Sequence, residues 1–311
     1  MKAFAPFFIM PSWKHAVETA MGIRTILAAV SGGAASAGAV ELACRLAHRF
    51  ASHLEGYHVR LDPRQMAFVA ADGFGTALAG ELVEQSMRDV ADAAASARRL
   101  FDAAVMRHAL PVSDEPPLPR AGSAPASQGS VCWHEEIGHG ATRVADRARF
   151  FDLLVLGRSG RVIDEPHSTA VEEALLASGR PVLIAPAEPP PAFGETVALA
   201  WNDSPQSARA LGAAMPILVS AQAVHVLSVG DTGAVDLVRH LRWYGVKATA
   251  DAVYPVPGVG TGGLLLAAAR EHAADLLVMG AYGQAPWREA LFGGATREVV
   301  GSSLLPLLLS H

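Results

Sequence analysis

One motif occurs twice in this chain. Asp152-Leu-Leu-Val-Leu-Gly157-Arg-Ser-Gly160 returns as Asp275-Leu-Leu-Val-Met-Gly280-Ala-Tyr-Gly283, and each copy is followed by a helical stretch and a run led by proline, at Pro181 and Pro306. Such a repeat limits the fold more than any composition does, because both copies must solve the same packing problem. Within each copy, the short apolar run between Asp and Gly reads as a buried parallel strand. Around the copies, apolar runs alternate with helical periodicity. Strands are expected at Thr25–Val30, Leu54–Arg60, Ser130–Glu135, Asp152–Leu156 and Pro181–Ile184, then at Thr196–Trp201, Ala223–Val229, Ala248–Val253, Leu276–Met279 and Leu307–Leu309. Strands alternating with helices imply βαβ units. The expected fold class is therefore α/β, with two tandem doubly wound parallel-sheet domains.

The chain's 311 residues are enough for two domains of ordinary size. The boundaries follow from composition. Residues 1–23 form an N-terminal arm, 24–187 the first domain, 188–195 a linker containing Pro189-Pro190-Pro191, and 196–311 the second domain. Proline, serine and glycine crowd an insert at about 109–130. Half the chain is apolar and only 18% is charged, so sizeable cores are expected. A net charge of −5 argues against nucleic acid as a partner. No apolar run approaches a membrane span. Two cysteines without a CxxC make no disulfide framework, which suits a reducing, cytoplasmic compartment.

The chemistry gathers where the second copy ends. Gly280 and Gly283 close a strand, and Gly293-Gly294-Ala295-Thr296 open a helix. Glycines permit close backbone approach and positive φ. A helix start offers free N–H groups that suit phosphate. On the glycines alone, a tight turn followed by a helix start is the simpler account. The pattern is neither a P-loop nor G-x-G-x-x-G. Cys132, His134 and His139 fit no standard zinc spacing, so no metal ligands are assigned. Ser31-Gly32-Gly33 is not a hydrolase elbow, and no activated nucleophile stands out, so no catalytic residues are assigned.

The spacing Gly280-x2-Gly283-x9-Gly293, between a strand and a helix, resembles the ATP-binding signature of the universal stress protein family. Together with the repeat and the order of elements, the chain is similar to a tandem member of that family from about Arg24 to His311. That resemblance implies Rossmann-like domains of the adenine-nucleotide α-hydrolase kind and a stress-response or regulatory role. It implies ATP or another adenine nucleotide as ligand, with Mg2+ as an accompanying ion. Residues implied to hold the nucleotide are Ala200, Trp201 and Asn202 at the end of the first strand, Val229 at the second, and Met279 and Gly280 at the fourth. Gly283, Gly293, Gly294, Ala295 and Thr296 would surround the phosphates. The family usually has Asp where Asn202 stands, and Ser or Thr where Gly294 stands. A purely structural account of Asn202, as a cap or turn residue before Pro205, stays open, and Arg288 reads as a solvated surface residue.

The first domain keeps Gly157 and Gly160 but carries Asp164 and Glu165 where phosphates would lie. One nucleotide per chain, in the second domain, is therefore expected. The resemblance also implies that the final strands, Pro181–Ile184 and Leu307–Leu309, pair antiparallel within the chain as an internal pseudo-dimer, with a homodimer as a further assembly. The alternatives are a nucleotide-free scaffold protein and a slow ATP-hydrolysing enzyme.

Overall fold

The computed structural model describes residues 22–61, 76–115, 128–158, 167–230, 233–282 and 294–311. The arm before residue 22, the middle of the insert, Gly160, Asp164, Glu165, Gly283, Arg288 and Gly293 lie outside the described residues.

The first unit contains β1 (Thr25–Ala29), α1 (Ala34–Phe50), β2 (His53–Arg60), α2 (Thr76–His108), β3 (Ser130–Ile137), α3 (Gly140–Ala148), β4 (Leu153–Gly157), α4 (His167–Ala177) and β5 (Val182–Ala185). The second contains β6 (Thr196–Ala200), α5 (Pro205–Leu218), β7 (Ala223–Val229), α6 (Ala234–Arg242), β8 (Ala248–Val253), α7 (Thr261–Glu271), β9 (Leu276–Gly280), α8 (Gly294–Ser302) and β10 (Leu307–Ser310). All ten strands join one sheet in the order β3-β2-β1-β4-β5-β10-β9-β6-β7-β8. Read outward from its middle, each half has the same order, so the repeat in sequence is a repeat in topology.

Neighbouring strands are parallel except at the centre, where β5 and β10 run antiparallel. Leu307 faces Ile184, Leu308 faces Leu183 and Leu309 faces Val182. The expected pairing of the two final strands is thus observed. Each covers an edge that would otherwise expose unpaired N–H and C=O groups.

The central strands are buried because helices cover both faces. One apolar layer packs α1, α2, α5 and α6 on the sheet through Leu42, Phe101, Leu211 and Leu237. The other packs α3, α4, α7 and α8 through Ala148, Leu175, Leu265 and Val299. The proline linker is not a free spacer. Arg45 Nη1 donates to the Pro190 carbonyl at 2.7 Å, and Arg49 Nη1 donates to that of Phe193 at 2.8 Å. Arg49 also donates to the Ser220 hydroxyl of the second unit. The linker is docked on α1 within its proline run and just beyond it.

The repeated Asp and Gly have structural work in both units. Asp152 accepts from the backbone N–H groups of Arg24 and Thr25 at 2.9 and 3.0 Å. Asp275 accepts from Gly194, Glu195 and Thr196 at 2.6, 3.0 and 3.3 Å. Each carboxylate pins the start of the first strand to the start of the fourth. At the other end, a Cβ on Gly157 would lie 2.0 Å from the Ala35 carbonyl, and one on Gly280 would lie 2.5 Å from Ser207 N. Both glycines admit the first turn of the helix that follows the first strand.

Candidate functional site

In an open parallel sheet, ligands bind beyond the carboxyl ends of strands where the strand order reverses. The molecule has two such places, between β1 and β4 and between β6 and β9.

In the second unit, β6 ends at Ala200, buried among apolar neighbours, and Trp201 packs on the opposite layer. Asn202 is exposed, and its Oδ1 accepts from Ser204 Oγ at 2.7 Å. The helix cap is Ser204 itself: its Oγ accepts from Ser207 N, and Ser207 Oγ accepts from Ser204 N, a reciprocal box. Asn202 therefore serves as the turn residue before the cap. Val229 at the end of β7 and Met279 near the end of β9 pack in the α7–α8 layer, and Met279 is buried.

The backbone next to these ends is unusual. Asp203 has φ +56° and Tyr282 has φ +58°. Asp tolerates the left-handed region, but a bulky Tyr there is an outlier held by its surroundings. Part of what holds it is Thr296. Thr296 is buried in the first turn of α8, and its Oγ1 accepts from Tyr282 N at 3.4 Å. The Thr296 hydroxyl thus stitches α8 to the end of β9. Among the described residues, nothing lies within 4 Å of a Cβ built on Gly294 at the start of α8. The Gln206 Oε1 atom, on the helix turn against Gly280, is buried without a hydrogen-bond partner. The described residues place Ala200, Trp201, Asn202, Val229, Met279, Gly280, Gly294, Ala295 and Thr296 on the ends of neighbouring elements.

The first unit holds a feature that the sequence did not announce, a cavity of about 900 Å³ at the ends of β1, β2 and β4. Its walls are mostly apolar, among them Val59, Leu156, Val171 and Ile184. Tyr282, Arg297 and Val300 reach it from the second unit, so both halves build it. Ser31 and Ser36 stand at its β1 end, their hydroxyls 2.9 Å apart. Two further cations line it. Arg60 is paired with Glu135. Arg158, which follows Gly157 where Ala281 follows Gly280, has no carboxylate among the described residues. Its Nη2 donates to the Leu305 carbonyl at 3.4 Å, and its Nε is buried without a partner. Burial holds the Arg158 guanidinium below its ordinary range, at about 10. It therefore stays cationic at neutral pH. Burial also raises the Tyr282 phenol to about 12, aided by the nearby Glu172 carboxylate, so the ring enters the cavity as a neutral donor.

The remaining sequence candidates disperse. Cys132 Sγ lies 3.3 Å from His53 Nε2, His134 stacks on Tyr57, and His139 precedes α3. Both cysteines are free. No described helix is long and apolar enough to cross a membrane.

With this geometry, the chain superposes on solved structures along nearly its whole length. A universal stress protein from Archaeoglobus fulgidus DSM 4304 matches with TM-score 0.64 and 14% identity, over 92% of this chain and 95% of its own. A functionally unknown protein from Pseudomonas aeruginosa PAO1 matches with TM-score 0.51 and 15% identity, over 95% of this chain and 94% of its own. A third, assigned to the universal stress proteins and from Pseudomonas aeruginosa UCBPP-PA14, gives TM-score 0.50 and 17% identity, over 93% and 94%. No protein-family model and no curated protein sequence matches the chain. At these identities the likeness is one of architecture. The fold of this chain is that of a tandem universal stress protein.

Proposed function

We propose that the chain is a nucleotide-binding stress protein that holds one adenine nucleotide, ATP foremost, at the strand ends of its second unit. The observation that carries this reading is the bond from Tyr282 N to Thr296 Oγ1, which brings the open start of α8 beside the end of β9. Two glycine-bearing backbone segments, at Gly280 and Gly294, then share one place with the free N–H groups of a helix start. In this reading the base and ribose lie along Ala200, Trp201, Asn202, Val229, Met279 and Gly280. The phosphates lie against Gly283, Gly293, Gly294, Ala295 and Thr296, and Mg2+ accompanies them. Thr296 contributes its backbone, since its hydroxyl is taken.

The protein then acts by binding and reporting, in the cytoplasm, with its halves working as an internal pseudo-dimer and two chains assembling further. Nucleotide released by heat from purified, tag-free protein and identified by mass spectrometry tests the reading. An adenine nucleotide near one equivalent supports it. Protein that carries none and takes up none on addition is the scaffold alternative.

A second reading rests on a separate observation, the cavity of about 900 Å³ with Arg158 in its wall. That volume suits a small organic ligand. Apolar walls with the Arg158 guanidinium, which pairs with no carboxylate among the described residues, favour an apolar body carrying a single acidic group over a triphosphate. The first unit would then bind a different ligand from the second.

A further inference from the structure

The second unit carries a cluster on another part of its surface that none of the foregoing uses. His225 lies near the start of β7, Asp251 lies on the outermost strand β8, and His272 caps the end of α7. Because α7 runs back along the parallel strands, its last residue returns to the end where strands begin. His225, Leu227, Thr249 and Asp251 share a sheet face by alternation, the face on which α7 packs. The cluster therefore sits below α7, away from the carboxyl ends of β6 and β9.

The geometry is specific. His225 Nδ1 lies 3.1 Å from Asp251 Oδ2, and His272 Nε2 lies 3.9 Å from Asp251 Oδ1. One ligand atom from each residue falls within 4.8 Å of the others. The two imidazoles are stacked, with centroids 3.8 Å apart and planes 15° from parallel. The Thr249 hydroxyl donates to Asp251 Oδ2 at 2.9 Å and lies 3.1 Å from His225 Nδ1. Asp251 forms its described ion pairs with these two histidines only.

We propose that His225, Asp251 and His272 bind a first-row divalent metal ion of the zinc type. Two imidazole nitrogens and one carboxylate oxygen are a donor set that suits zinc and its neighbours better than calcium or magnesium. Metal–ligand bonds of about 2.0–2.2 Å put neighbouring ligand atoms roughly 3.3 Å apart in a tetrahedron. The two carboxylate–imidazole separations bracket that value, and turning the stacked imidazoles out of parallel brings three ligands onto one ion. Thr249 orients the carboxylate from behind, as partners of metal-bound groups commonly do. All three ligand residues are partly exposed, which leaves an entry path and a fourth position for water. Three elements contribute, so the ion ties the outermost strand to the end of α7.

The test is zinc binding by the purified, tag-free full chain, measured by competition with a chromogenic chelator. A parallel cobalt titration reports coordination through its visible absorption. The parent should hold about one zinc per chain and melt higher with it. His225→Gln, Asp251→Asn and His272→Gln should each weaken binding by at least about tenfold, while His48→Gln, a change at an exposed histidine elsewhere, leaves it intact. Circular dichroism checks that the variants are folded, and the parent's cobalt spectrum stands independently of them. A parent that takes up no stoichiometric zinc at micromolar free metal, or three variants that bind like the parent, would overturn the proposal. So would equal loss in His48→Gln, which would mark scattered surface binding.

Discussion

Arg158 offers a direct way to weigh the first-unit cavity. Burial holds its guanidinium at about 10, and no carboxylate among the described residues pairs with it. A depression of that size corresponds to at most about 3 kcal/mol spent on keeping the charged form in the fold. Part of the side chain still meets solvent, and the Leu305 carbonyl accepts from it. Arg158→Met keeps the apolar stem and removes the charge, so the ligand-free protein should gain about 1–2 kcal/mol and melt a few degrees higher. The pH dependence has a definite sign. For a base with a depressed folded value, the unfolded chain binds more protons between about pH 10 and the ordinary guanidinium value. The parent's stability therefore rises with pH only in that alkaline window. Below it both states are charged, and the gain in the variant should be constant across neutral pH. Thermal melts from pH 6 to 8, with and without a medium-chain carboxylic acid as probe, make the assay. The parent should be stabilised by the probe and the variant should not. A variant that melts lower than the parent would show that Arg158 serves the fold, and would refute the reasoning.

Other consequences follow from single contacts. Gly280→Ala sets a Cβ 2.5 Å from Ser207 N, backbone that cannot swing aside, so denaturant titration should show a loss of about 1–3 kcal/mol. Asp275→Ala leaves the N–H groups of Gly194, Glu195 and Thr196 without their acceptor, and should lower stability by about 2–4 kcal/mol in the same assay. Burial raises the thiol of Cys44 to about 12 and that of Cys132 to about 11, so iodoacetamide at pH 8 should label neither quickly until denaturant is added. Rapid labelling of the native protein would contradict the packing around them.

The repeat was readable because its end residues do the same physical job twice. Asp152 and Asp275 fasten one strand to another, and Gly157 and Gly280 admit a helix turn. Patterns of that kind survive in a linear reading. The antiparallel join was legible through the resemblance, because family members pair their final strands between domains, and the pairing covers an edge on each half. The glycines themselves were harder to interpret. The close approach that Gly280 allows is to the start of α5, a demand of packing that a linear pattern cannot tell from a demand of ligand. Thr296 likewise turned inward to Tyr282.

The first-unit cavity was not legible, because Ser31, Arg158 and Arg297 meet only through the sheet that joins the halves. Nor was the docked linker, which depends on Arg45 and Arg49 reaching back from α1. His225, Asp251 and His272 sit on three elements at spacings that match no metal motif, so only the register of β7 on β8 and the end of α7 unite them.

The central claim is a single nucleotide site at the open start of α8. Gly294→Val separates binding from folding, since its side chain would enter space that no atom of the described residues occupies. The measurement is calorimetric titration of ATP into the parent and into this variant. About one site per chain in the parent, lost in a Gly294→Val protein that melts like the parent, is the predicted result. Two equivalent sites, no binding by the parent, or a variant that binds ATP as the parent does would contradict the account.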